Sequence, residues 1–212
     1  MKNETQCFNT QQPTSEYLTF NREIDITTPE AVVPEMEDVF RALPKINRFN
    51  GQTIVPYSVA QHSIMCTNAA EKIHDCHEPH RLMAILLHDA GEAYVGDIVR
   101  FVKQTIGKNL LDIEDHFFFA LLVRIGLTPE ELEDLQQENF KELLNEIDNR
   151  MGATEADVLR STDQIGAVLP EMQRYSIILP LNLGWQETES HFRFVFNTLR
   201  EGIIERRENE NS

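Results

Sequence analysis

The 212-residue chain is poor in basic charge: 19 Lys and Arg stand against 35 Asp and Glu, for a formal net charge of −16. That balance excludes broad contact with a nucleic-acid polymer, whose backbone needs a basic surface. An anionic ligand would have to be held by a metal ion and a few local basic residues. No apolar run approaches the roughly 18 residues of a membrane span, and the opening MKNETQCFNTQQPTSEY lacks the apolar stretch of a secretory signal. A soluble cytoplasmic protein with no membrane partner is therefore expected. Cysteine is sparse. Cys7, Cys66 and Cys76 are odd in number and match neither a zinc ribbon nor a redox pair, which points to reduced thiols. A P-loop, a dinucleotide-binding glycine fingerprint and a zincin motif are all missing. So are internal repeats and any long Gly, Pro or Ser linker, which leaves one domain over residues 19–205. It is flanked by a polar arm over 1–18 and a solvated tail over 206–212.

What is present reads as helix. Thr28 before Pro29, and then Pro34, mark starts for a segment with Met36, Val39, Phe40 and Leu43 on one face. Ser58 and Gln61 have capping-box spacing and open a helix carrying His62 in its first turn. Glu78-Pro79 opens the next. Thr128, Pro129 and Glu131 begin a long amphipathic pattern through Leu132, Leu135, Phe140, Leu143, Leu144 and Ile147, predicting one helix. NLLDIEDHFFFALLVRIG and SHFRFVFNTLREGI supply two more, with HFFFALL read as core. Only YLTFNREIDI reads as a strand or hairpin. The fold class is all-α, with a short N-terminal hairpin.

RLMAILLHDAGEAYVGD places His88, Asp89 and Glu92 at the end of the most apolar run of the chain. Charge beside a core needs a partner, a hydrogen bond or a metal. His62 and Asp148 sit in comparable settings in other helices, near their start and end. Imidazole with carboxylate suits a borderline or harder divalent ion such as zinc, cobalt, manganese or iron. Glu92, four residues after His88, would share its helical face and stand where a general base beside a metal-bound water belongs. HDCHEPH, with His74, His77 and His80, reads as an exposed helix end, and Glu130 to Asp134 as a solvated first turn.

The ordered set His62, His88-Asp89 and Asp148, together with INRFNGQT, YSVAQHS, LLHDAGEAYVGDI and IDNRMGATEA, resembles the HD-domain superfamily of metal-dependent phosphohydrolases. The likeness covers roughly residues 20–160. It is to the branch of bacterial 5'-deoxynucleotidases and phage HD phosphohydrolases, some of which remove triphosphate from dATP in viruses that use 2-aminoadenine. The resemblance implies a compact HD-domain helical bundle with one divalent metal on His62, His88, Asp89 and Asp148: cobalt, manganese or zinc first, magnesium admissible. It implies Glu92 as catalytic acid/base and Asp97 as second active-site carboxylate. Arg48 would hold the substrate phosphate, Phe49 would lie against the sugar, and Lys103 would reach a distal phosphate. In the deoxynucleotidases the Phe49 position commonly holds tryptophan, and VRF replaces the usual proline-containing link before Lys103.

The expected activity is hydrolysis at the α-phosphate of a deoxynucleoside mono- or triphosphate, releasing the nucleoside. The small-molecule deoxynucleotide is the expected partner, in a homo-oligomer located in host cytoplasm if phage-encoded. Two alternatives remain: a catalytically silent nucleotide-binding regulator of the same fold, and a two-iron oxygenase that would need further ligands between His62 and His88.

Overall fold

Ser58 accepts a hydrogen bond from the Gln61 amide while the Gln61 side chain accepts one from the Ser58 amide. This reciprocal cap starts the central helix of the molecule. In the computed structural model, which describes residues 16–19, 23–25, 28–98, 102, 108–160 and 173–210, the order of elements is as follows. Strands β1 (Glu16–Leu18) and β2 (Glu23–Asp25) form an antiparallel hairpin with Tyr17 opposite Ile24. The helices are α1 (Met36–Ala42), α2 (Val59–Ile73), α3 (Pro79–Leu87), α4 (Glu92–Val95), α5 (Lys108–Arg124), α6 (Pro129–Gln136), α7 (Glu138–Leu159) and α8 (Trp185–Glu210), with 3-10 turns at Pro29–Ala31 and Arg48–Gly51. The expected all-α fold with an N-terminal hairpin is what the chain adopts.

Helix α2 packs against α3, α7 and α8, and α3 against α6 and α8. Small residues let α2 lie inside the bundle: Ala60, Ser63, Cys66, Ala69 and Ala70 are buried on it. α3 buries every residue from Leu82 to Leu87. Phe40 meets Phe196 edge-on at 5.1 Å, joining α1 to α8, a favoured aromatic geometry. Tyr94 stacks on Phe117 of α5 at 4.1 Å and donates to Asp38 on α1, which fixes α4 and hence Glu92. Phe117, Phe118, Leu121 and Leu122 are core, as HFFFALL predicts.

Three expectations change. The long helix from Pro129 is two, because Gln137 is extended (φ −65°, ψ 146°) between α6 and α7. Leu135 and Phe140, five residues apart, would point to different sides of one continuous helix; the break lets both be buried. Asp148 consequently lies in the middle of α7, not near its end. At the C-terminus, α8 runs through Glu210 and Arg207 is tied back to Glu131, so most of the expected tail is helical. The acidic run is likewise not merely solvated: Asp134 accepts two hydrogen bonds from Arg81 at 2.6 Å and pairs with His80 at 2.8 Å. The histidines of HDCHEPH disperse, His74 to Tyr175, His77 to Asp75 and His80 to Asp134.

Candidate metal centre

Three helices bring four side chains to one point. His62 comes from the first turn of α2, His88 and Asp89 from the turn after α3, and Asp148 from α7. His62 Nε2 lies 3.2 Å from Asp148 Oδ1 and 3.6 Å from Asp89 Oδ2. His88 Nε2 lies 3.3 Å from Asp89 Oδ2 and 3.9 Å from Asp148 Oδ1. Atoms bound to one ion at about 2.0 to 2.2 Å must lie within about 4.4 Å of each other, and all four separations meet that limit.

Both imidazoles are turned the same way. His88 Nδ1 is 2.8 Å from the Ile85 carbonyl, which can only accept, so Nδ1 carries the proton. That leaves His88 Nε2 as a buried nitrogen without a hydrogen bond, facing the two carboxylates. A cation answers such an atom, and the donor set fits a divalent ion. Electrostatics agree. Burial works against ionised Asp89, but His88, His62 and Arg48 more than offset it and hold the carboxyl below its usual range. Asp148 is lowered in the same way, burial being outweighed first by His62. Burial opposes charge on the imidazoles too, and so does Arg48 on His62, yet both are drawn upward, His88 chiefly by Asp89 and His62 by Glu155 and Asp148. The pocket asks for positive charge.

Two neighbours escape a sequence reading. Glu155, with 0% exposure, accepts from Arg48 Nε at 3.1 Å and lies 2.8 Å from His62 Nδ1. Cys66 Sγ is 3.5 Å from His62 Nε2 and 3.9 Å from Nδ1, and its ligand atom lies within 4.8 Å of those of His62 and His88. Near-equal distances to both ring nitrogens place the sulfur over the ring rather than along a lone pair. Burial pushes the thiol up to about 11, so it stays protonated. Only the i, i+4 spacing of Cys66 from His62 could have signalled this. Cys66 and Cys76 are free thiols, and Cys7 lies outside the described residues.

Arg48 enters from a strained turn. Phe49 (φ 56°), Asn50 (φ 53°) and Gly51 (φ 71°) are successively left-handed, which is uncommon for an aromatic residue. The Asn47–Ser58 bridge and the Arg48 N–H donation to the Tyr57 carbonyl hold the turn in place. The guanidinium thereby reaches Asp89 at 3.4 Å, with Phe49 packed 5.5 Å from it. Burial of Arg48 is outweighed by Glu155, Asp89, Asp148 and Asp97, so it stays charged.

Glu92 is buried at the start of α4. It does not share one α-helix with His88: the chain winds tightly through residues 88–91, with Ala90 donating to Leu87 and Glu92 to Asp89. Gly91 allows α5 to approach there, since a Cβ would meet the Glu114 backbone at 2.8 Å. Asp97, with Ile46, Asn47, Asn50, Val95 and Ile98, lines a cleft of about 410 Å³, a size typical of small-ligand sites, whose lining includes neither Arg48 nor any of the four converging side chains. Lys103 lies outside the described residues. Among the described residues no helix is long and apolar enough to cross a membrane.

Over 108 residues the chain is 34% identical to an uncharacterized protein of Rhodobacter capsulatus, an alignment covering 50% of this chain and 55% of that protein. The chain thus spans about half the length of this curated relative. Residues 48–176 match the family described as HD domain, a span that includes all four converging side chains together with Arg48, Glu92, Asp97 and Glu155. The chain belongs to the HD-domain family.

Proposed function

We propose that this protein hydrolyses deoxynucleotides at the α-phosphate, releasing the nucleoside from a mono- or triphosphate. The observation that carries the reading is the convergence of His62, His88, Asp89 and Asp148 on one point, with the Arg48 guanidinium 3.4 Å from Asp89. His62, His88, Asp89 and Asp148 would hold one divalent ion, with cobalt, manganese or zinc best matched to the donors. Such an ion, when bound, polarises a phosphate oxygen and acidifies water.

The rest falls to the chain. Arg48 uses Nε on Glu155 and Nη1 on Asp89, and its other N–H groups are directed to the substrate phosphate. Glu92, buried three residues after Asp89 with its backbone N–H donating to the Asp89 carbonyl, takes the proton of the attacking water. Asp97 lines the cleft and acts on Arg48 by charge. Phe49, packed 5.5 Å from Arg48, would lie against the sugar and bear on the choice of deoxyribose. Lys103 would meet the distal phosphates of a triphosphate.

Product chromatography tests this. The protein is incubated separately with each deoxynucleoside mono- and triphosphate and with cobalt, manganese, zinc or magnesium. Inorganic phosphate and nucleoside from monophosphates identify a 5'-deoxynucleotidase. Tripolyphosphate and nucleoside, above all from dATP, identify a triphosphohydrolase. Absence of product with every metal overturns the reading in favour of a nucleotide-binding regulator.

A further inference from the structure

We propose that Glu155 is the positioning residue of this centre, a single buried carboxylate that sets the metal-binding nitrogen of His62 and the orientation of Arg48 together. The inference rests on the metal-centre reading given above. Glu155 stands seven residues after Asp148 on α7, two turns along the same face, and has no exposed surface. A carboxylate in that position must have its oxygens satisfied. Each of the two oxygens serves a different functional side chain: Oε1 is 2.8 Å from His62 Nδ1 and Oε2 is 3.1 Å from Arg48 Nε.

The consequence follows from donor counting. A carboxylate only accepts, so His62 Nδ1 must carry a proton, and Nε2, which faces Asp89 and Asp148, is the nitrogen left to bind a metal. His88 reaches the same state through the Ile85 backbone carbonyl, which no substitution removes. For His62 the state depends on one side chain, and that side chain also holds the arginine. Glu155 is not a ligand itself, because it meets His62 at the nitrogen away from the cluster. It is not the base either, because both of its oxygens are taken up by His62 and Arg48. Its role is exerted through His62 and Arg48, as outer carboxylates act on ligating histidines elsewhere.

Glu155→Gln preserves shape and reverses the chemistry. Arg48 can only donate, so the amide oxygen stays on Arg48 and the amide NH₂ falls on His62 Nδ1. The ring must then accept at Nδ1 and carry its proton on Nε2, where the metal binds. We expect Zn²⁺ affinity, measured by competition with a chromogenic chelator, to fall about 10- to 100-fold. The ¹⁵N pattern of His62 should change from protonated Nδ1 to protonated Nε2, a shift that simple loosening of the fold would not produce. Wild-type affinity together with a wild-type ring pattern in Glu155→Gln overturns the proposal.

The zinc-loaded wild-type protein decides the matter even if the variant does not fold: His62 must be protonated at Nδ1 and zinc-bound at Nε2, and binding through Nδ1 refutes it. If wild type binds no zinc, the metal-centre reading fails, and the alkaline metal-free His62 pattern in the two proteins still tests Glu155.

Discussion

Asp89 is the carboxylate shared by most of the centre: its Oδ2 lies 3.6 Å from His62 Nε2, 3.3 Å from His88 Nε2 and 3.4 Å from Arg48 Nη1. Removing it, or His88, takes away one of the four donors and, with it, the cluster's shared carboxylate or imidazole contact. Asp89→Ala and His88→Ala are therefore expected to bind no stoichiometric metal by elemental analysis, and one equivalent retained in either would contradict the ligand set. Glu92 acts differently. Glu92→Ala should keep metal and substrate binding and lose turnover by about 10²- to 10⁴-fold, and undiminished hydrolysis would remove it from the role of base. The four converging residues were legible as one set through the resemblance to the HD-domain superfamily, with the placement of His88 and Asp89 at the end of an apolar run as the local trace. Glu155 was not. Within ATEAD it reads as an ordinary helix residue, and its partner His62 is 93 positions away, so only the packing of α7 on α2 exposes its function.

At the scale of elements, the turn between α3 and α4 carries the centre, and Gly91 makes it tight. Adding a Cβ there would meet the Glu114 Cα and carbonyl oxygen at 2.8 Å, both backbone atoms that cannot swing aside. Gly91→Ala should cost about 1 to 3 kcal/mol and lower the melting midpoint by several degrees; an unchanged midpoint would refute the close approach. Asp134 joins α6 to α3 through Arg81 and His80. Those hydrogen bonds, Arg81 first, bring its carboxyl down to about 2 from an ordinary 3.8. A lowered folded-state value means the bridge stabilises above about pH 4 and is lost as pH falls toward 2. Acid titration of stability should thus show a smaller loss in that window for Asp134→Asn than for wild type, and equal losses would contradict the bridge. The caps of α2 and α6 were readable because they are local chemistry within four residues. The break at Gln137 was masked by continuous helix-forming sequence, and the five-residue gap from Leu135 to Phe140 was its only trace.

At the scale of the molecule, the helical class was legible from periodicity, and the family from motifs spread over much of the chain. The meeting of α2, α3 and α7 was not, since it depends on how small residues on α2 admit its neighbours. That meeting supplies a site for positive charge in a chain of net charge −16, which explains how so acidic a protein could take an anionic substrate: the ion and Arg48 offset the repulsion locally. The most direct test is to strip the protein of metal and titrate Co²⁺ or Mn²⁺ back while following hydrolysis of deoxynucleoside mono- and triphosphates. The account predicts no hydrolysis without the ion, a rate that rises linearly and levels at one ion per chain, and none in His88→Ala. Hydrolysis that persists without metal, or fails at every metal concentration, would contradict it.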